Sequence, residues 1–245
     1  SKRMSFLKAE WRKLAIANYV VEPATLAKYV PFGTELDLWQ EKCYVSLVGF
    51  LFQNTKLFGV KVPLHINFEE VNLRFYVKRF ENKTWKRGVV FIKEIVPKRA
   101  LTFVANSVYN ENYETLPMKH EWAENAEKRT VEYQWKKKGK WHKFKVEAEL
   151  ESCQIDSHSE TEFITKHYWG YAKVNERKTN EYEVTHPKWE KHNVLGFKID
   201  VDFKEVYGLE FHFLNQTTPV SVMLVEGSEI TVENKVILVN NNQPQ

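Results

Sequence analysis

The stretch FEEVNLRFYV, residues 68–77, decides the fold class because its side chains alternate. From residue 70 onward the odd positions are apolar, namely Val71, Leu73, Phe75 and Val77. The even positions are polar, namely Glu70, Asn72, Arg74 and Tyr76. Alternation with a period of two predicts a β-strand with two different faces. The question it raises is whether the polar row faces water or lines the inside of the protein.

The next apolar stretch, RGVVFIKEIV at 87–96, bears on that question. Val89 and Phe91 fall on one side of this predicted strand, and Val90 and Ile92 on the other. A strand that is apolar on both faces is typically buried on both faces. If it pairs with 68–77, the polar row lines an enclosed space. The alternative, a polar row that faces solvent while only the other face packs on a core, stays open.

The rest of the chain predicts a mainly β (α+β) protein. Further strands are predicted at 11–21, 35–39 and 42–52, as a hairpin at 128–150, and within 211–234. Short helices are predicted at 23–30, 100–110 and 163–171, with one or two helical turns in 200–208. No repeat or linker divides the sequence, so we expect a single domain over 1–238 and a disordered tail over 239–245.

Composition and motifs exclude several classes of protein. The net charge is only +4, and no aromatic-basic RNA motif is present, so we expect no nucleic-acid partner. No apolar run is long enough for a membrane-spanning helix, and no signal segment is recognisable, so we expect no membrane partner. Cys43 and Cys153 have no metal-ligand spacing and suit reduced thiols, which indicates a cytoplasmic protein. Dinucleotide, P-loop and metalloprotease motifs are absent, so we expect no cofactor and no metal.

Lys93 and Glu94 stand out because they are charges at the end of an apolar strand. Burial lowers the pKa of a lysine and makes its amine a better nucleophile. The same position would make Glu94 a candidate acid or base.

Five stretches together resemble a known family: EWRKL, YVPFGTELDLW, CYVSLVGF, FEEVNLRFYV and RGVVFIKEI. They are similar to the YqjF-like family of uncharacterised bacterial proteins, which is similar in fold to acetoacetate decarboxylase. The resemblance implies a closed, conical antiparallel β-barrel with additional sheet, short peripheral helices and an enclosed polar pocket.

The resemblance also implies site residues. The decarboxylases use a lysine that forms a Schiff base with the oxo-acid, a neighbouring lysine, an arginine and a glutamate. Arg12 falls at the arginine, and Glu70 or Glu69 at the glutamate. Lys98 in Pro97-Lys98-Arg99 is the nearest match to the Schiff-base lysine, with Arg99 in place of the second lysine.

Two functions follow as hypotheses, and the sequence leaves open whether the protein is an enzyme. In the first, the protein is an enzyme for an oxo-acid or a related carboxylate. Its catalytic candidates are Glu70, Lys93, Glu94 and Lys98, and its substrate-binding candidates are Arg12, Asn72, Arg74 and Tyr76. In the second, the same barrel is a non-catalytic ligand-binding or structural protein. Homodimerisation through an edge strand is compatible with both hypotheses.

Overall fold

The computed structural model describes residues 5–241, without the side chains of residues 100, 103, 104, 107 and 108. The described chain is mainly β, as predicted. Its strands are β1 (Leu7–Val20), β2 (Glu35–Leu36), β3 (Tyr44–Leu57), β4 (Phe68–Glu81), β5 (Thr84–Val96), β6 (Tyr113–Thr115), β7 (Met118–Glu124), β8 (Arg129–Lys137), β9 (Lys140–Gln154), β10 (Trp169–Asn175), β11 (Lys178–Thr185), β12 (Glu190–Asp200), β13 (Ser221–Val232) and β14 (Val236–Val239).

The helices are short and lie between strands. They are α1 (Pro23–Leu26), α2 (Arg99–Val104), α3 (Glu160–Thr165) and α4 (Phe203–Tyr207). Residues Ala27–Tyr29 and Leu209–Gln216 form 3₁₀ turns, and Ala105–Tyr109 form a π-helical turn after α2. No helix within residues 5–241 has the length and apolar character needed to span a membrane.

Among the described residues all strands belong to one sheet, in which β11, β10, β5, β4, β3, β1 and β13 are successive neighbours. The first and last of these seven strands also pair, through Val184 with Val232 and Thr185 with Thr231. Most pairings are antiparallel, but β5 pairs in parallel with β10 and with β6. β12, β9, β8 and β7 extend the sheet beyond β13.

The predicted partnership of β4 and β5 is present, and both faces of the pair are buried. The odd residues of β4 pack in one hydrophobic cluster with Trp135 and Phe144 of the β8–β9 hairpin. The even face belongs to a second cluster that includes Phe50, Phe68 and Trp189. The polar row of β4 therefore does not face open water: Glu70, Asn72 and Tyr76 are each at most 2% exposed.

A β-bulge in β5 sets the direction of its last charged side chains. Leu73 pairs with Lys93, whereas Arg74 pairs with Phe91, so Ile92 is an extra residue in β5. Strict alternation from Val89 and Phe91 would place Lys93 on their face. The bulge reverses this: Glu94 shares the face of Phe91, and Lys93 points to the opposite side, where its amine donates to the carbonyl of Val206.

Two local predictions are wrong. The helix predicted at 163–171 lies earlier, because Ser159 caps it by accepting a hydrogen bond from the Glu162 amide, and Trp169 already begins β10. The start of the predicted strand region 211–234 is a 3₁₀ turn. It follows Gly208, whose φ of 117° is a left-handed conformation that favours glycine and ends α4. Of the predicted tail, Val239 ends β14, and residues 242–245 lie outside the described residues.

Candidate functional site

The second hydrophobic cluster surrounds a cavity. The space open to the centre of a water-sized sphere is about 110 Å³, several times the roughly 10–15 Å³ that one water needs. Its walls come from β1, β3, β4, β5, β10, β11 and the π-helical turn. Most lining side chains are apolar or aromatic, among them Trp11, Phe50, Phe91, Trp169 and Trp189. A predominantly apolar cavity with a few polar groups is typical of small-molecule sites.

Three glutamates line this cavity: Glu70 on β4, Glu94 on β5 and Glu111 just before β6. They are 2%, 3% and 9% exposed. No ion pair within residues 5–241 includes any of them. Buried carboxyl groups without a cation are costly to ionise, which marks this cluster as unusual.

Neutral side chains donate hydrogen bonds to these carboxyl groups, and Tyr113 contacts Glu94 as well as Glu70. Glu70 accepts from the Tyr113 hydroxyl at 3.0 Å and from the Asn72 amide at 2.8 Å. Glu111 accepts from the Tyr182 hydroxyl at 2.6 Å. These bonds fix the orientation of the carboxyl groups without neutralising their charge.

Glu94 is different because one of its oxygens has no partner. It lies directly across the strand pair from Asn72, and its backbone N–H donates to the carbonyl of Asn112. Glu94 Oε2 and Asn72 Oδ1 are both buried without a hydrogen bond. Nearly all buried polar atoms in proteins are hydrogen-bonded, so two orphaned acceptors side by side in a cavity wall point to a missing partner.

Burial controls the acidity of this cluster. It raises the pKa of Glu70 to about 7, although the Asn72 and Tyr113 hydrogen bonds and the Arg74 charge oppose the rise. It raises the pKa of Glu111 to about 8, and the negative charge of Glu70 adds to the effect. The pKa of Glu94 lies well above its usual range because of burial and the charges of Glu70 and Glu111.

Arg74 is the one cationic side chain, arginine or lysine, among the described residues that line the cavity. Its Nε donates to the Tyr76 hydroxyl at 3.2 Å, and its Nη2 donates to the carbonyl of Ile164 at 3.2 Å. None of the ion pairs found between residues 5 and 241 includes Arg74. The guanidinium is therefore held in place by neutral groups, and no carboxylate among the described residues forms a close ion pair with it.

His167 forms another part of the wall and separates the cavity from an outer groove. The imidazole lines both spaces. Its Nε2 lies 2.8 Å from Asp37 Oδ2, and Asp37 also accepts from the Arg87 guanidinium at 2.6 Å. Burial lowers the pKa of His167, and the neighbouring Asp37 opposes that shift. The described structure thus places a buried histidine, held by a paired aspartate, at one boundary of the cavity.

The structure places the predicted site residues in two groups. Glu70, Asn72, Arg74 and Glu94 share the cavity wall. Tyr76 lies behind that wall, where its hydroxyl donates to Ser46 at 2.7 Å and accepts from Arg74.

Arg12, Lys93 and Lys98 are not among the lining residues. Arg12 pairs with Glu10 at 2.6 Å on another surface, and Lys93 pairs with Glu114 at 2.9 Å on the opposite face of β5. Lys98 immediately precedes α2. Among the described side chains, no lysine lines the cavity.

The sequence does not point to several polar members of the site, among them Glu111, Tyr113, Tyr182 and His167. Glu111 and Tyr113 reach the cavity because β6 pairs in parallel with β5, a pairing that brings Tyr113 opposite Glu94. Tyr182 had one local signal: a Cβ on Gly170 would lie 2.2 Å from its ring, so that glycine makes room for it. This signal cannot be interpreted without the strand pairing, and the same pairing is needed to place Glu111 and Tyr113.

Comparison with known proteins identifies the family. The model of the family described as an uncharacterized conserved protein, DUF2071, matches residues 8–229. This chain belongs to the DUF2071 family. A search of curated protein sequences finds no match.

Solved structures show the same fold at low sequence identity. The enduracididine biosynthesis enzyme MppR, complexed with pyruvate, has a TM-score of 0.67 and 12% identity, over 99% of this chain and 94% of that one. Acetoacetate decarboxylase from Legionella pneumophila subsp. pneumophila str. Philadelphia 1 has a TM-score of 0.65 and 11% identity, over 96% and 88%. An acetoacetate decarboxylase-like enzyme from Sphingomonas wittichii RW1 has a TM-score of 0.65 and 9% identity, over 96% and 94%. The DUF2071 chain therefore has an acetoacetate decarboxylase-like fold, which confirms the resemblance seen in the sequence.

Proposed function

We propose that this protein binds a small organic carboxylate, such as a 2-oxo acid, in the cavity and catalyses proton transfer on it. The observation that carries the proposal is the unpaired guanidinium of Arg74 beside a titratable carboxyl group, Glu70, in an apolar enclosure. The pairing of β11 with β13 supports a closed conical barrel around this cavity, as the resemblance implies.

Arg74 is the proposed anchor for the carboxylate. Its Nε donates to Tyr76 and one N–H of Nη2 donates to Ile164, which leaves Nη1 and the second N–H of Nη2 as donors for a ligand. A guanidinium hydrogen-bonds a carboxylate strongly, and the surrounding low polarity strengthens the attraction. For a 2-oxo acid, the oxo oxygen is next to the carboxylate and would share the positive field of Arg74.

Glu70 is the proposed acid–base residue. A general base works best when its pKa is close to the operating pH, and the pKa of Glu70 is raised to about 7. In the proposed step, Glu70 takes a proton from the carbon next to the oxo group. The electron pair moves onto the oxo oxygen, where Arg74 stabilises the enolate, and the proton later returns to the same carbon.

The proposed chemistry does not use a Schiff base. No described lysine lines the cavity, and the bulge in β5 directs Lys93 to the opposite face. The structural neighbours support an oxo-acid ligand: one is an enzyme in complex with pyruvate, and another is an acetoacetate decarboxylase-like enzyme. Their identities of 9–12% support the fold and are compatible with a different use of the cavity.

Proton exchange tests the proposal. Pyruvate and 2-oxohexanoate are incubated with the protein in D₂O near pH 7, and proton NMR follows the signal of the protons at C3. We expect the signal to disappear only when the protein is present. Glu70→Gln should lower the rate of exchange by about 100-fold or more. Arg74→Gln should weaken the binding of both oxo acids. Glu69→Gln is the matched control, because Glu69 precedes Glu70 but pairs with His120 instead.

The outcomes separate the hypotheses. Exchange that is unaffected by Glu70→Gln would overturn the assigned base. A lysine adduct trapped by borohydride from either oxo acid would instead restore the Schiff-base mechanism. Binding of the oxo acids without any exchange would favour the alternative, a non-catalytic ligand-binding protein.

A further inference from the structure

The acidic side of the cavity has more carboxyl groups than the proposed reaction uses. Arg74 and Glu70 account for a carboxylate and its proton transfer. Glu94 and Glu111 remain, and both are at least nine-tenths buried in the same wall. A ligand that offered only a carboxylate would meet these two groups with repulsion or with no interaction.

The unpartnered atoms indicate which chemistry is missing. Glu94 Oε2 and Asn72 Oδ1 are hydrogen-bond acceptors with no donor, and they belong to residues that face each other across β4 and β5. A protonated Glu94 can donate to Asn72 Oδ1, but this bond satisfies both atoms only while Glu94 keeps its proton. A ligand group with several N–H donors satisfies both atoms at once.

The charge balance of the wall points the same way. The described cavity lining holds Glu70, Glu94 and Glu111 against one guanidinium, Arg74. Burial raises the pKa of all three carboxyl groups; the charge of Arg74 opposes the rise at Glu70, whereas neighbouring carboxylates add to it at Glu94 and Glu111. The cavity therefore has a positive end at Arg74 and a proton-holding acidic end at Glu94 and Glu111.

The apolar walls suit the same kind of ligand group. Tyr109 and Tyr182 pack against each other at 5.1 Å beside Glu111, and several other aromatic rings line the space. Aromatic faces attract organic cations, most strongly where water is excluded.

We infer that the natural ligand is amphoteric: a small carboxylate that also carries a cationic nitrogen, bound between Glu94, Glu111 and Asn72. This inference rests on the proposed function, since it takes Arg74 as the site of the carboxylate. Binding the cation ionises carboxyl groups that hold protons in the free protein, so protons are released to the solvent.

Matched pairs of ligands test the inference. 6-Aminohexanoate and heptanoate have the same length and the same carboxylate, and differ in an ammonium group where the other has a methyl group. The shorter pair 4-aminobutanoate and pentanoate, and the longer pair 8-aminooctanoate and nonanoate, allow for the unknown separation of the two ends. Calorimetric titration at pH 7 in two buffers of different ionisation enthalpy gives both the affinity and the number of protons released.

In at least one pair we expect the amine to bind at least ten-fold more tightly than its methyl partner. Only the amine should release protons on binding. Glu94→Gln and Glu111→Gln should each reduce that preference by five-fold or more and leave the affinity for the methyl partner nearly unchanged. Glu69→Gln is the control and should keep the preference. Cooperative unfolding of each variant confirms that it folds.

Each result has a clear meaning. If the fatty acids bind as tightly as the amines in all three pairs, the inference is overturned and the proposed carboxylate site stands. If no compound of any pair binds, the proposed function and the inference both fall. If the amines are preferred equally in Glu94→Gln, Glu111→Gln and the control, the cation binds elsewhere and the inference is again overturned.

Discussion

Two buried glutamates of this protein, Glu94 and Glu181, have the same exposure of 3% and opposite surroundings. Glu181 on β11 pairs with Arg79 at 3.1 Å and with Lys86 at 3.0 Å. Glu94 on β5 has no cation, and one of its oxygens has no hydrogen bond.

The surroundings of a buried carboxyl group indicate whether it serves the structure or a ligand. A buried carboxylate with two cations is part of the structure, because its loss would leave those cations uncompensated. A buried carboxyl group without a partner costs stability, so a protein that keeps it in a cavity wall uses it for a ligand or a proton.

The largest expected effect is on stability and contrasts the two residues directly. Glu181→Gln should lower the free energy of unfolding by about 3 kcal/mol, the lower end of the cost of breaking a buried ion pair. The lower end applies because Glu81 still pairs with both Arg79 and Lys86. Glu94→Gln should leave stability unchanged or raise it at pH 8, since the neutral amide avoids ionisation in the cavity.

Denaturant unfolding of both variants at pH 8 measures this contrast. Equal destabilisation by the two substitutions would mean that Glu94 is held by structural interactions, and the distinction between the two regions would fail. A rise in the free energy of unfolding for Glu181→Gln would mean that its ion pairs do not stabilise the fold, which would also contradict the distinction.

A smaller effect is expected in the pH dependence of stability. The folded-state pKa values of Glu70 and Glu111 are raised to about 7 and about 8, above those of the unfolded chain. Above pH 4.5 the unfolded chain loses these protons first, so their contribution to stability is complete at low pH and is lost as the pH rises through 7 and 8. Between pH 6.5 and 8 we therefore expect stability to fall, by up to about 1.4 kcal/mol per pH unit for each group.

The histidines restrict this window. Burial lowers the pKa of His186 to about 4 and also lowers that of His167. Below pH 6.5 the unfolded chain therefore binds protons at these histidines before the folded protein does, and acidification lowers the stability. This effect is opposite in sign to that of the carboxyl groups. Glu111→Gln should flatten the decline between pH 6.5 and 8, whereas Glu69→Gln should preserve it, because the pKa of Glu69 is lowered. An unfolding free energy that rises with pH over this range in the parent protein would contradict the assignment.

The sequence predicted the fold class and the wall of the site for physical reasons that are local. Alternation in 68–77 predicts a two-faced strand, and the two apolar faces of 87–96 favour a strand pair that is buried on both sides, while the solvent-facing alternative stayed open. That is why Glu70, Asn72 and Arg74 were correctly recognised as neighbours along one strand face.

The choice between Lys93 and Glu94 depends on one extra residue, Ile92, in the β5 bulge. Both side chains are charged and adjacent, so the period-two pattern alone directs Lys93 to the cavity face and Glu94 away from it. Tyr113 is positioned by the parallel pairing of β6 with β5, and Glu111 lies between the π-helical turn and β6. Tyr182 lies on β11, which is antiparallel to β10, and β10 in turn pairs in parallel with β5. All three positions depend on contacts distant in sequence.

An NMR titration of glutamate side chains labelled with ¹³C at the carboxyl carbon tests most directly whether the carboxyl groups of the cavity are buried without an ion pair. We expect three of the glutamate resonances to titrate near or above pH 7, well above ordinary glutamates, and each of them to be absent in one of the variants Glu70→Gln, Glu94→Gln and Glu111→Gln. We also expect an amphoteric ligand to move these midpoints to lower pH. If all glutamate resonances of the folded protein titrate below pH 5.5, the carboxyl groups are compensated and the account is contradicted.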